Sequence, residues 1–133
     1  MKEHAWISDK YTGLAQDVIR SKADLQWIDK AHIQIGYMVS DKDKKSHGRL
    51  VFADCRKVPD YYRAFIPYDF LITVYEQNCV GMSEEAMFIL LYHELLHVGI
   101  DETGEETKYV VNPHDVEEFR AIIDQYGLDW ERR

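Results

Sequence analysis

The sequence predicts an α+β fold: a small, mostly antiparallel sheet packed on one buried helix, with further helices flanking it. Three observations predict it. Runs of alternating or β-rich residues recur between residues 33 and 75. A stretch free of Gly and Pro, apolar nearly all round, runs from Ala86 to Val98, the pattern of a helix covered on every side. A second, one-sided apolar stripe at helical spacing closes the chain. At 133 residues, with 46% hydrophobic and 30% charged residues, the composition is that of one globular domain over 1–133, long enough for a real core. Repeats, low-complexity tracts and linker-like stretches are absent.

The elements follow in order. Tyr11, Leu14, Ala15, Val18 and Ile19 recur at helical spacing within residues 9–22, after Ser8 as a cap. Ala23 to Lys30 fits either a further turn of helix or a packed loop. Ile33, Ile35, Tyr37 and Val39 alternate and predict a strand. The charged run from Asp41 to Gly48 is a solvated hairpin loop, and Leu50 to Arg56 is the returning strand. A loop from Pro59 carries Tyr61, Tyr62 and Phe65, expected to fill the margin of the core. Tyr68 to Tyr75 is the strongest strand signal in the chain. Ser83-Glu84-Glu85 starts the buried helix with a capping hydroxyl and acids in the first turn, and Gly99 is its expected stop. Asp101 to Thr107 is a polar loop, and Lys108 to Val111 a short strand. Asn112-Pro113-His114-Asp115 reads as the start of the last helix, with Asn at the cap and Pro in the first helical position. Val116, Phe119, Ile122, Ile123 and Tyr126 form its stripe, and Gly127 ends it.

The chemistry lies in His93-Glu94-Leu95-Leu96-His97, an H-E-x-x-H pentad near the end of the buried helix. Residues four apart share one helix face, so both imidazoles aim at one point. Glu94 can reach a water held by the same metal. Two ligands and a general base from one turn are the mechanical content of the zinc-peptidase signature. Such a site takes one more protein ligand. Asp101, Glu102, Glu105, Glu106 and His114 are the candidates. The extended metzincin spacing is absent, because Ile100 and Thr103 stand where it needs Gly and His. A His in the first turn of a packed helix is held rigidly, which favours His114.

H-E-L-L-H, a short polar excursion, and then His-Asp-x-x-Glu-Phe opening a helix resembles the SprT-like zinc metallopeptidases. The stretch from Tyr92 to Trp130 is more similar still to a small group of phage metallopeptidases. The resemblance implies a zincin-like fold, one Zn2+ per chain on His93, His97 and His114, and Glu94 as catalytic base. It implies a peptide or protein substrate, and a cytoplasmic setting in a bacterium or a phage-infected host cell. In zinc peptidases of this build the strand before the active helix is the sheet's edge. Tyr68–Tyr75 is therefore expected to offer free backbone groups to an extended peptide.

Composition narrows the partners. A net charge of −8 and a pI near 5.2 argue against nucleic acid, which needs clustered Lys and Arg. The chain also lacks the C-x-x-C pairs of the zinc ribbon found in SprT proteins. Cys55 and Cys79 are too few for a disulfide scaffold and are expected as free thiols in a reducing compartment. The N-terminus lacks the apolar core of a signal peptide, and no run reaches membrane-span length, so no membrane is expected. For the oxyanion of a peptidase reaction, Tyr92, Lys108 and Tyr109 are candidates by position. For orienting the imidazoles, Asp101, Glu102 and Asp115 are. The competing readings are a zinc-stabilised structural or interaction module that cleaves nothing, and a hydrolase of a non-peptide amide.

Overall fold

Four strands make the main sheet of the computed structural model, which describes residues 4–114 and 119–132. In chain order, β1 (Ala5–Ile7) leads to α1 (Thr12–Ser21), a 3-10 turn (Ala23–Leu25) and α2 (Gln26–Lys30). Next come β2 (Ile35–Ser40), a two-residue ribbon of β3 (Lys45–Ser46) and β4 (Arg49–Leu50), and β5 (Ala53–Lys57). A long loop precedes β6 (Phe70–Tyr75) and α3 (Glu84–Leu96). A hairpin of β7 (Val98–Asp101) and β8 (Lys108–Val111) follows, then α4 (Arg120–Tyr126). The sheet order is β1-β2-β6-β5. Only β2 and β6 run parallel, Ile35 opposite Phe70, while the other two pairings are antiparallel. The α+β class and the mostly antiparallel sheet are as expected.

The strand before α3 is not the edge. β6 is paired on both sides, to β2 and to β5, and Phe70, Ile72, Val74 and Tyr75 are buried. An apolar run without strict alternation suits a strand covered on both faces. The outer positions fall to β1 and β5. β1 has no counterpart among the predicted elements: its three residues are apolar but all exposed, and too few to show an alternation. It is held by backbone pairing and by the Ser40 hydroxyl, which donates to the His4 carbonyl at 2.7 Å. The predicted strand Leu50–Arg56 is two pieces, broken at Val51 and Phe52. His47 and Gly48, with φ of 53° and 76°, make the tight turn of the ribbon, where positive φ at both central residues matches strand twist. Tyr61, Tyr62 and Phe65 are exposed rather than packed at the core margin, Phe65 at 85%.

α3 runs through the middle of the core. Ser83 caps it, its hydroxyl accepting the Ala86 N–H at 3.1 Å. Ile89, Leu90, Leu91, Tyr92 and Leu95 are buried in one cluster with Ala15, Val18 and Ile19 of α1 and with Phe70, Ile72 and Val74 of the sheet. The helix ends at Leu96, with His97 as its last half-helical residue. Gly99 is not its stop but a buried residue inside β7. Its lack of a side chain serves packing, because the Asn112 amide occupies the place a Cβ would take. That amide donates to the Leu96 carbonyl at 3.4 Å and the Val98 carbonyl at 3.3 Å, satisfying acceptors that a helix end leaves open.

The last helix begins later than predicted. Asn112, Pro113 and His114 are not helical, and the described helix starts at Arg120, with Phe119 extended before it. The expected first turn at Asp115 and the stripe residue Val116 lie outside the described residues. Gly127, at φ 82°, ends the helix as expected. α4 is tied to the body by a polar knot. Lys22 Nζ reaches the Gln125 side-chain oxygen at 2.6 Å and the Tyr126 hydroxyl at 2.7 Å. The Tyr92 hydroxyl donates to Asp24 at 2.7 Å and accepts from Gln125 at 3.0 Å.

Candidate metal centre

Three imidazoles meet at one end of α3. His93 and His97 sit one turn apart, their rings edge-on with centroids 5.2 Å from each other. His114 completes the group, with its centroid 4.8 Å from each of the other two. The Nε2 atoms of His93 and His114 stand 3.0 Å apart. One ring nitrogen from each of the three lies within 4.8 Å of the others, an arrangement that could hold a metal ion.

The β7–β8 hairpin, rather than a helix, delivers His114. β7 leaves directly from the end of α3, and β8 returns antiparallel to it, Val98 opposite Val111. The pairing continues one step further, the Asn112 N–H donating to the His97 carbonyl at 2.6 Å. His114 follows two residues on and is thereby brought back over the helix that carries its partners.

Asn112 also sets the chemistry of His97. The Asn112 carbonyl lies 2.6 Å from His97 Nδ1. A carbonyl only accepts, so Nδ1 carries the proton and the lone pair sits on Nε2. An acceptor of this kind fixes the tautomer and the ring angle of a metal-binding His. The acids expected in this role are elsewhere. Asp101 accepts from Thr103 in its own turn, which holds its carboxyl below the ordinary range. Glu102 lines a separate hollow with Asp24 and Asn112, and Asp115 lies outside the described residues. Among the described residues Asp101, Glu102, Glu105 and Glu106 are not in the ligand cluster.

Glu94 is 4% exposed and its Oε2 lies 3.9 Å from His93 Nε2. Its charge is felt behind the site, where burial first and then Glu94 push the Cys55 thiol well up. Phe119 backs the ligands, its ring 5.4, 4.9 and 5.0 Å from those of His93, His97 and His114. Trp130 stands 6.3 Å from His93. A cleft of ≈ 680 Å³ opens at this point, its walls including Leu50, Ala53, Leu128 and Trp130 and its floor Leu90, His93 and Glu94. The three oxyanion candidates do not line it. Tyr92 is buried in the knot with Asp24, while Lys108 and Tyr109 border a hollow by Lys57 and Arg63.

The donor set fits a metal ion. Three neutral imidazoles, one with its tautomer fixed, are the ligands of open zinc sites. A tetrahedral ion with bonds of ~2.05 Å sets its ligand nitrogens ~3.3 Å apart, close to the His93–His114 separation. The three clustered His are ones the sequence singles out, and Glu94 stands beside them. Sequence reasoning missed the Asn112 carbonyl and the packing of Phe119, because a backbone acceptor leaves no mark in residue type and Phe119 reads as ordinary core. No helix among the described residues is long and apolar enough to cross a membrane. The family described as Putative phage metallopeptidase matches residues 4–133, nearly the whole chain. No curated protein and no solved structure matches it.

Proposed function

We propose that this chain, which belongs to the phage metallopeptidase family, is a zinc-dependent peptidase of zincin-like fold. The observation that carries the reading is the convergence of three imidazoles beside one buried carboxylate at the floor of an open cleft. His93, His97 and His114 would hold one zinc ion. Zinc in such a site acidifies a water and polarises a carbonyl. Glu94 does the proton work: its carboxylate takes a proton from the attacking water and returns it to the leaving amine. Burial suits this task, since few waters compete for the carboxylate. The Asn112 carbonyl keeps the His97 ring in the tautomer that puts the lone pair on Nε2. Phe119 limits the swing of all three rings and keeps solvent from their rear. The substrate is peptide or protein rather than nucleic acid, in keeping with the net charge of −8. Tight DNA binding with a steep salt slope would count against that.

Glu94→Gln tests the mechanism. It keeps size and hydrogen bonding but cannot accept the proton. Peptide hydrolysis should fall at least ~10²-fold, the low end for losing a general base, while zinc content stays near one per chain. A variant as fast as wild type removes Glu94 from the mechanism. A zinc-loaded wild type that cleaves nothing favours the non-catalytic module.

A further inference from the structure

The cleft beside the imidazoles has two walls and a distinct chemistry. One wall is the irregular stretch from Arg49 to Ala53, and the other is the end of the chain around Leu128 and Trp130. Leu50 on the first is 46% exposed, and Leu128 on the second 64% exposed. Single exposed leucines are ordinary on a protein surface. Two from separate segments that line one cleft, together with Leu90, His93 and His114, are a different case. Together they form an apolar slot that gains from being covered. Among the described residues that line the cleft, the ionised side chains besides Glu94 are Arg49 and Glu131, one of each sign.

Resting on the peptidase reading, we infer that Leu50 and Leu128 select a peptide carrying a bulky aliphatic or aromatic side chain next to the bond that is cut. The two leucines close on that side chain from either wall, and Leu90 meets its tip. A glycine or a charged residue in the same place leaves them exposed.

The test uses the zinc-loaded full chain and two probes, N-blocked leucine hydroxamate and N-blocked glycine hydroxamate, with binding read by calorimetry. The leucine probe should bind at least about tenfold tighter, the low end for filling an apolar pocket. Leu50→Asp and Leu128→Asp should each shrink that ratio while zinc content is unchanged. Both changes are at exposed positions, and a melting curve of each variant checks the fold. Alongside, a peptide mixture is digested by wild type and the cut sites are read by mass spectrometry. Cuts flanked by Leu, Ile, Met or Phe support the inference. Equal binding of the two probes, or a ratio that neither variant alters, overturns it. Cleavage indifferent to flanking residues also overturns it and leaves the peptidase reading standing. A leucine preference that depends on Leu50 and Leu128, in a protein that cleaves nothing, keeps the apolar slot and overturns the peptidase reading instead.

Discussion

Asn112 makes four hydrogen bonds at and around His97. Its N–H and its carbonyl grip the backbone and the ring of that residue, and its side-chain amide fastens the end of α3 to the start of β7. Gly99 leaves the room for that amide. Gly99→Ala therefore has a defined expected effect. The new methyl group expels the amide, and the Leu96 and Val98 carbonyls lose a donor. Metal affinity should fall about tenfold, the lower end for disturbing a group that orients a ligand, and the metal-free protein should melt earlier. Chelator competition and thermal melts measure the two. Asn112→Ala is the control: it drops the amide bonds, keeps the carbonyl, and should reproduce the loss of stability. Unchanged metal affinity in Gly99→Ala would mean the carbonyl holds its place without the amide.

Elements differ in how legibly the sequence announces them. The start and course of α3 are announced by its cap, its apolar surface and the i, i+4 pair, all local, while its end is not, since Gly99 belongs to β7. His114 is legible as a residue and not as a place, since its position depends on the pairing of β7 with β8, which joins residues about ten apart. β1 is three exposed residues held by backbone bonds, and such bonds leave no side-chain pattern. The edge assignment fails for a readable reason: Phe70–Tyr75 is too uniformly apolar for an edge, and that signal was outweighed by its position before the helix. Among the described residues, the sheet edge beside the cleft is β5. Tyr75 donates its N–H to the Phe52 carbonyl at 2.9 Å, and Ala53 stands opposite Val74. By the alternation of antiparallel pairing, Phe52 and Asp54 face β6, and Ala53 points its N–H outward. Tyr109 of β8 packs on Phe70 near the Lys57 end, so the open end is the one at Ala53, in the cleft. An extended peptide pairing there should lose one hydrogen bond in Ala53→Pro, a change an edge strand tolerates. KM should rise about three- to tenfold, as one bond is worth, with zinc content and melting temperature kept. Cleavage kinetics that ignore the change would place the peptide elsewhere.

The whole molecule stores acids in their neutral form. Cys79 is buried against the sheet, and its thiol donates to the Phe52 carbonyl at 3.5 Å. Burial, with the charge of Glu76 second, pushes it up to about 11. The hydroxyls of Tyr11, Tyr37 and Tyr92 and the thiol of Cys55 are raised too, by burial first in each case. At the acid end the balance reverses. Burial alone would raise Glu76, but hydrogen bonds from Lys10 and Tyr11 outweigh it and hold the carboxyl below its ordinary value. The signs follow from proton counting. A thiol or phenol whose folded pKa is raised keeps its proton in the native state after the unfolded chain has lost it. That stabilises fully below the unfolded pKa and is lost as pH rises towards the folded one. For Cys79 the window runs from about 9, the ordinary thiol range, to about 11. For Glu76 the stabilisation is present above the ordinary carboxylate range and is lost as pH falls through its lowered value. Melting temperature, followed by circular dichroism, should therefore decline by several degrees from pH 9 to pH 11. In Cys79→Ala the decline should be shallower over that interval, because a buried acid whose titration falls within it is gone. Parallel curves for the two proteins would show that Cys79 releases its proton without opening the core, and that the Phe52 contact adds nothing to the fold.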